Sequence, residues 1–190
     1  ARKTSGPDTS KSGARTGVLA IIPALNEEEF IEICIRSLLT QETGLTNLLL
    51  VVADGGSTDK TCDIVQKMMQ EFPQLRLMNT PNRLQSAGMN LAVETYGTAS
   101  TRYIVRCDAH SVYPEYFIHD VVDSLDSTGA ASVVVPMDAR GDTCFEKANA
   151  WIVDTPLGSG GAPHRGGTES KYVEHGHHAG YDIDVYRRIG

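Results

Sequence analysis

The chain has no Cys-x-x-Cys pair. Its four cysteines, Cys34, Cys62, Cys107 and Cys144, are scattered. Three of them sit in apolar periodic stretches, which points to buried free thiols in a reducing compartment and argues against a zinc site or a disulfide framework. It also has no basic stripe. Lys and Arg total 17 against 24 Asp and Glu, a formal net charge of -7, so nucleic acid is excluded as a partner. No apolar run is long enough to span a bilayer, and membrane association would come only through segments not in this chain. No signal peptide is read at the start. Residues 1–16 carry Arg2, Lys3, Lys11 and Arg15 against Asp8 without periodicity, and read as a flexible basic tail. There is no internal repeat. The expected location is cytoplasmic.

What remains is ordinary in bulk and informative in order. A hydrophobic fraction of 41% and a charged fraction of 22% fit a globular protein, and 190 residues make one domain, taken as 17–190. Apolar runs alternate with helical periodicity along the chain. Val18 to Ile22, Leu48 to Ala53, Leu75 to Met78, Thr101 to Cys107 and Ala130 to Val135 read as strands, the last closed by Pro136. Helices are expected after each turn, with inner faces such as Phe30, Ile31, Cys34, Ile35, Leu38 and Leu39. Asn26 and Glu29 have capping-box spacing. Pro114 suits the first turn of a helix ended by Gly129, Phe145 to Val153 forms another, and Tyr181 to Ile189 a last one. Asp154 to Ser170 is a glycine- and proline-rich loop. The fold expected is α/β: three layers, a mostly parallel sheet with flanking helices.

Chemistry gathers where strands end. Leu48 to Ala53 drives into Asp54, followed by Gly55, Gly56, Ser57, Thr58 and Asp59 and then a helix. An acid thus points off the C-terminal edge of a buried strand, where open α/β sheets bind ligands. The same design recurs at Thr101 to Cys107, which ends in Asp108-Ala109-His110. Asp54 and Asp59 also suit plain turn and helix capping. Glu27, Glu28 and Glu29 suit a helix's first turn.

Four motifs follow in order: Pro23-Ala24-Leu25-Asn26-Glu27-Glu28, Asp54-Gly55-Gly56-Ser57-Thr58-Asp59-Lys60-Thr61, Gln85-Ser86-Ala87-Gly88-Met89-Asn90 and Asp108-Ala109-His110. Together they resemble the inverting family 2 glycosyltransferases of the GT-A fold, a Rossmann-like fold for nucleotide-diphospho-sugar transferases. The wording around Ser86 and at Val135-Pro136-Met137 resembles the exopolysaccharide-building branch, the succinoglycan (ExoA) type.

The resemblance, which covers about 17–190, implies roles. Pro23, Ala24 and Glu28 would border the nucleotide. Asp54 would accept the uracil N3–H. Arg83 and Ser86 would close the pocket near base or ribose, while Asp59 would be a structural cap. Asp108 and His110 fill a D-x-D place, holding ribose and a divalent metal, Mn²⁺ or Mg²⁺. Here the sequence departs from the pattern, since the last position is His110; imidazole favours Mn²⁺ over Mg²⁺. His177 and His178, beside His175, are secondary metal or phosphate candidates. The implied donor is a UDP-sugar, UDP-glucose first. The implied acceptor is a saccharide, lipid-linked, at the inner face of the plasma membrane. No acidic motif suited to a catalytic base is seen; Asp154, Glu169 and Glu174 are the only acids of the late loop. The base is expected beyond Gly190, in a domain truncated at its C-terminus. Two other readings are a sugar-1-phosphate nucleotidyltransferase, whose glycine-rich loop would follow the first strand, and a nucleotide-sugar binding module without catalysis.

Overall fold

The structure, a computed structural model, describes residues 16–40, 45, 47–81, 83–135, 143–153, 155 and 179–189. The tail over residues 1–15, Pro136 and Met137, the late loop with Asp154, Glu169 and Glu174, and His175, His177 and His178 lie outside the described residues. The elements run β1 (Gly17–Ala24), α1 (Ile31–Leu39), β2 (Leu48–Asp54), α2 (Thr61–Met68), β3 (Leu75–Asn79), α3 (Gln85–Tyr96), β4 (Thr101–Arg106), α4 (Phe117–Thr128), β5 (Ser132–Val134), α5 (Cys144–Val153), β6 (Ala179–Asp182) and α6 (Ile183–Ile189).

They build one six-stranded sheet in the order β3-β2-β1-β4-β6-β5. β1 runs parallel to β2 and to β4, and β2 parallel to β3. β6 is antiparallel to both of its neighbours, β4 and β5. The central strands are continuous aliphatic runs because both faces are covered. Val18, Ala20, Ile22, Leu50, Val52, Tyr103 and Val105 pack with residues of α1, α2 and α4. Leu19, Ile21, Val51, Ala53 and Ile104 pack the opposite way, with Met89, Ala92 and Val93 of α3 and Ile183 of α6. Ile21, Ile22, Ile104 and Ile118 are fully buried, and each such side chain contributes about 1.5–3 kcal/mol. The three-layer, mostly parallel α/β expectation is met.

Several local expectations are not. Tyr181 and Asp182 belong to a strand, and the last helix begins only at Ile183. Four residues are too short a run for periodicity to separate strand from helix; pairing with β4 and β5 decides it. Asn26 and Glu29 form no capping box: α1 starts at Ile31 with no side-chain cap, and Asn26 sits in the left-handed region at φ 57. Pro114 precedes α4 rather than opening it, because Tyr116, also left-handed at φ 61, intervenes. Of the three cysteines in periodic stretches, Cys34 and Cys107 are buried, but Cys62 is only half-buried. Gly129 ends α4 as expected, at φ 64.

Candidate active site

The strand order fixes where a ligand fits. From β1 the chain moves outward to β2 and β3, then α3 carries it back across the other face to β4, on β1's opposite side. The carboxyl ends of β1 and β4 therefore flank a switch in direction, the place where open α/β sheets form their crevice. β1 ends at Ala24 and β4 at Arg106. The turns that follow them meet: His110 Nδ1 lies 3.4 Å from Glu27 Oε1. The shallow hollow of about 510 Å³ lined by Gly129, Ala130, Ala131, Asp182, Asp184, Val185 and Arg188 lies elsewhere, at the other edge of the sheet.

One wall is a lock between two turns more than thirty residues apart. The Asn26 amide donates to Ser57 Oγ (2.8 Å), and Asn26 Oδ1 accepts the Thr58 amide (2.8 Å). The Glu28 amide donates to Asp59 Oδ2 (3.1 Å), while Glu28 Oε2 accepts the Lys60 amide (3.0 Å). Between them the Glu27 amide donates to the hydroxyl of buried Thr61 (2.8 Å), which donates onward to Asp59 Oδ1 (2.6 Å). Burial alone would raise the Asp59 carboxyl, and the bonds from Thr61 and the Glu28 amide outweigh it, leaving its pKa below the ordinary value. Asp59 is therefore a structural clamp, and Glu28 spends its carboxylate on the facing turn.

Asp54 closes β2 and is 2% exposed. Its Oδ2 accepts the amides of Gly56 (2.9 Å) and Ser57 (3.1 Å); Oδ1 takes only a long bond from Ser57, 3.3 Å. Burial, then the Asp54 charge, pushes the Cys62 thiol up to about 11. Gly55 donates to Ala24 O (2.8 Å), joining the tips of β1 and β2. A Cβ on Gly55 would lie 3.6 Å from Arg83 Cα and 3.8 Å from Leu25 Cβ, so Arg83 stands over this loop. Arg83 and Ser86 are exposed; Gly88 packs close to Ala53 and Thr80, as the run of small residues in α3 suggests. Pro23 and Ala24 lie beside Ala53 and Asp54 in register.

The opposite wall is the turn after β4. Asp108 is 8% exposed. The Tyr113 hydroxyl accepts the Asp108 amide (2.6 Å) and donates to Asp108 O (3.4 Å), and its ring packs tilted against Phe117, with centroids 4.5 Å apart. The Cys34 thiol reaches Asp108 O at 3.4 Å, and Ser37 of the same helix accepts the Tyr113 amide at 3.1 Å. Burial, then the charges of Asp108 and Glu27, push Cys34 up to about 12. Arg106 Nη2 stands 3.6 Å from Asp108 Oδ1 and donates to Gln85 Oε1 at 2.8 Å.

The structure thus brings Pro23, Ala24, Glu28, Asp54, Arg83, Asp108 and His110 to one edge of the sheet. Asn26, Thr61, Tyr113 and Arg106 are additions. A charge closing β4 directly after Tyr103, Ile104 and Val105 was the visible signal for Arg106; Asn26 stood in the first motif but with no sign of its bond to the facing turn. Among the described residues no three of His, Cys, Asp and Glu converge as a ready metal site.

These features agree with comparisons to known proteins. The profile of "Glycosyl transferase family 2" matches residues 19–190. The succinoglycan biosynthesis protein ExoA of Rhizobium meliloti (strain 1021) is 41% identical over 175 residues, 92% of this chain and 52% of that protein. An uncharacterized glycosyltransferase, YibD of Escherichia coli K12, is 31% identical over 69% of this chain and 36% of its own length. The chain thus spans about half, or less, of these curated relatives. Among solved structures, the Pyrobaculum calidifontis mannosyltransferase PcManGT with GDP-Man and Mn²⁺ superposes with TM-score 0.67 at 22% identity, over 94% of this chain and 48% of that one. Staphylococcus aureus TarS with UDP-GlcNAc gives 0.55 at 22%, over 67% and 37%. At such identities the structures establish the fold, which is GT-A. With the profile matched over nearly the whole chain and ExoA at 41% identity, this chain belongs to glycosyltransferase family 2.

Proposed function

We propose that this domain transfers a hexosyl group, glucose first among candidates, from a UDP-sugar to a saccharide acceptor in exopolysaccharide synthesis, with inversion and with a divalent cation. The observation that carries the reading is the meeting of the β1 and β4 turns at Glu27 and His110, beside Asp108, at the switch point of the sheet. Relatives support it: ExoA is a succinoglycan biosynthesis protein, and TarS and a Mycobacterium tuberculosis glucosyl-3-phosphoglycerate synthase were solved with UDP-GlcNAc and UDP. The acceptor would be lipid-linked, at the cytoplasmic face of the plasma membrane. No helix among the described residues is long and apolar enough to cross a membrane, so attachment would come from other segments.

In this reading the base lies against Pro23, Ala24 and Arg83, with its N3–H directed to Asp54 Oδ1, the less engaged oxygen. The 26–28 and 57–61 turns arrive already locked, so the pocket wall needs no ordering when the nucleotide binds. Ser86 and Asp108 reach the ribose side. Asp108 and His110 are the residues that would hold a cation, with His177 and His178 as further candidates; a carboxylate and an imidazole suit Mn²⁺ better than Mg²⁺. Such a cation offsets charge on the departing diphosphate. The acceptor oxygen bonds to the anomeric carbon as the bond to the diphosphate oxygen breaks, and the acceptor proton passes to a carboxylate base. That base is expected outside the described residues.

The test is UDP release from UDP-glucose with and without a saccharide acceptor, paired with calorimetry of UDP. Acceptor-dependent release is expected. Asp54→Ala should weaken UDP binding by about 1–3 kcal/mol, and His110→Ala should remove most of the gain given by Mn²⁺. A folded protein that binds no nucleoside diphosphate refutes the reading.

A further inference from the structure

Arg106 ends β4 on the face shared with α3, and its surroundings are unusual for an arginine. Its side chain is 20% exposed. Nε is buried with no hydrogen-bond partner among the described residues. Nη2 is the working end: it donates to Gln85 Oε1 at 2.8 Å and stands 3.6 Å from Asp108 Oδ1. That second separation is longer than a charge-assisted hydrogen bond, so the guanidinium is not consumed in a forked pair with Asp108. Burying a guanidinium with donors unspent costs free energy. Sites where a chain tolerates such a cost are expected to be functional.

The position suggests the use. Gln85 opens α3, next to Arg83 and Ser86, and Asp108 opens the turn after β4. Arg106 links the start of α3 to the turn after β4. The same edge carries Asp54, Asp59, Glu27 and Asp108, an acidic setting for a polyanionic ligand. We propose that Arg106, held between Gln85 and Asp108, is a binding residue that supplies the protein's own positive charge to the diphosphate end of a nucleoside diphosphate. It acts on affinity for the phosphates and not for the nucleoside. This rests on the nucleotide-binding reading above, and adds a role that needs no metal.

The experiment is calorimetry in EDTA with two probes, UDP and uridine, on wild type, Arg106→Gln, Arg106→Lys and Gln85→Ala. Arg106→Gln should weaken UDP about tenfold, the effect of losing one charged partner, and leave uridine within about twofold. Arg106→Lys keeps the charge without the fork and should recover most of the UDP affinity. Gln85→Ala, at an exposed position, loosens the anchor without touching the strand; it should weaken UDP about threefold, less than loss of the charge itself. Equal losses for UDP and uridine, or no loss in either Arg106→Gln or Gln85→Ala, overturn the role. If Arg106→Gln fails to fold, Gln85→Ala decides by the same ratio. Wild type that binds UDP with Mn²⁺ but not in EDTA overturns this inference alone; wild type that binds neither UDP nor GDP with Mn²⁺ present overturns the glycosyltransferase reading itself, and this inference with it.

Discussion

Asn26 shows how one residue can serve two demands. Its backbone is left-handed at φ 57, a conformation that asparagine enters more readily than most residues. That same turn aims Oδ1 at the Thr58 amide. Alanine fails both demands and glycine only the second. Asn26→Ala should therefore be less stable than Asn26→Gly by about 1 kcal/mol, the cost of the left-handed well for a Cβ-bearing residue. Urea unfolding of the two variants at equal slope measures it. Little of this was legible in the sequence. Asn26 with Glu29 fits a capping box, and only the tertiary pairing of the β1 and β2 turns shows that the asparagine serves the neighbouring turn. Asp54 and Asp108 were legible, because a carboxylate closing an uncharged aliphatic strand is conspicuous.

Among elements, β6 is the least visible in sequence and the most consequential. It has four residues and opposes the direction of its neighbours. Gly180 at its centre explains why the fit is close. A Cβ there would overlap Val121 Cγ1 and stand 3.0 Å from Leu125 Cδ1. The obstacle is the packed inner face of α4, not a flexible tip. Gly180→Ala should thus destabilise by about 1–3 kcal/mol, the usual cost of overpacking, and Val121→Ala should restore part of it. Thermal unfolding of the single and double variants tests the coupling. The long strands were readable because burial on both faces leaves a continuous aliphatic run. β6 owes its existence to hydrogen bonds with residues far away in sequence, which no local pattern records.

At the scale of the molecule the cysteines report on compartment and fold together. All four are free thiols: Cys34 and Cys107 are buried, Cys62 is half-buried and Cys144 is exposed. Native labelling at neutral pH should modify Cys144 first, Cys62 slowly, and the other two only after denaturation, to a total of four by intact mass. Fewer than four labels without added reductant counts against a reducing compartment. The pH dependence has a definite sign. The folded pKa values of Cys62 and Cys34, about 11 and about 12, lie above the ordinary thiol value of 9.0. Unfolded thiols therefore ionise first, and stability should fall as pH rises from 9.0 through that range. The sheet order carries one more implication. β5 touches the sheet only through β6, although 44 residues separate Val134 from Ala179 along the chain. On a ribosome, where synthesis runs from the N-terminus, β1 to β4 can dock as each emerges. β5 leaves the exit tunnel with no strand to join and must wait for residues 179–182, while the flank of β4 stays unpaired. The nascent chain is thus most exposed to mispairing in that interval, after the β1 to β4 part of the sheet has formed.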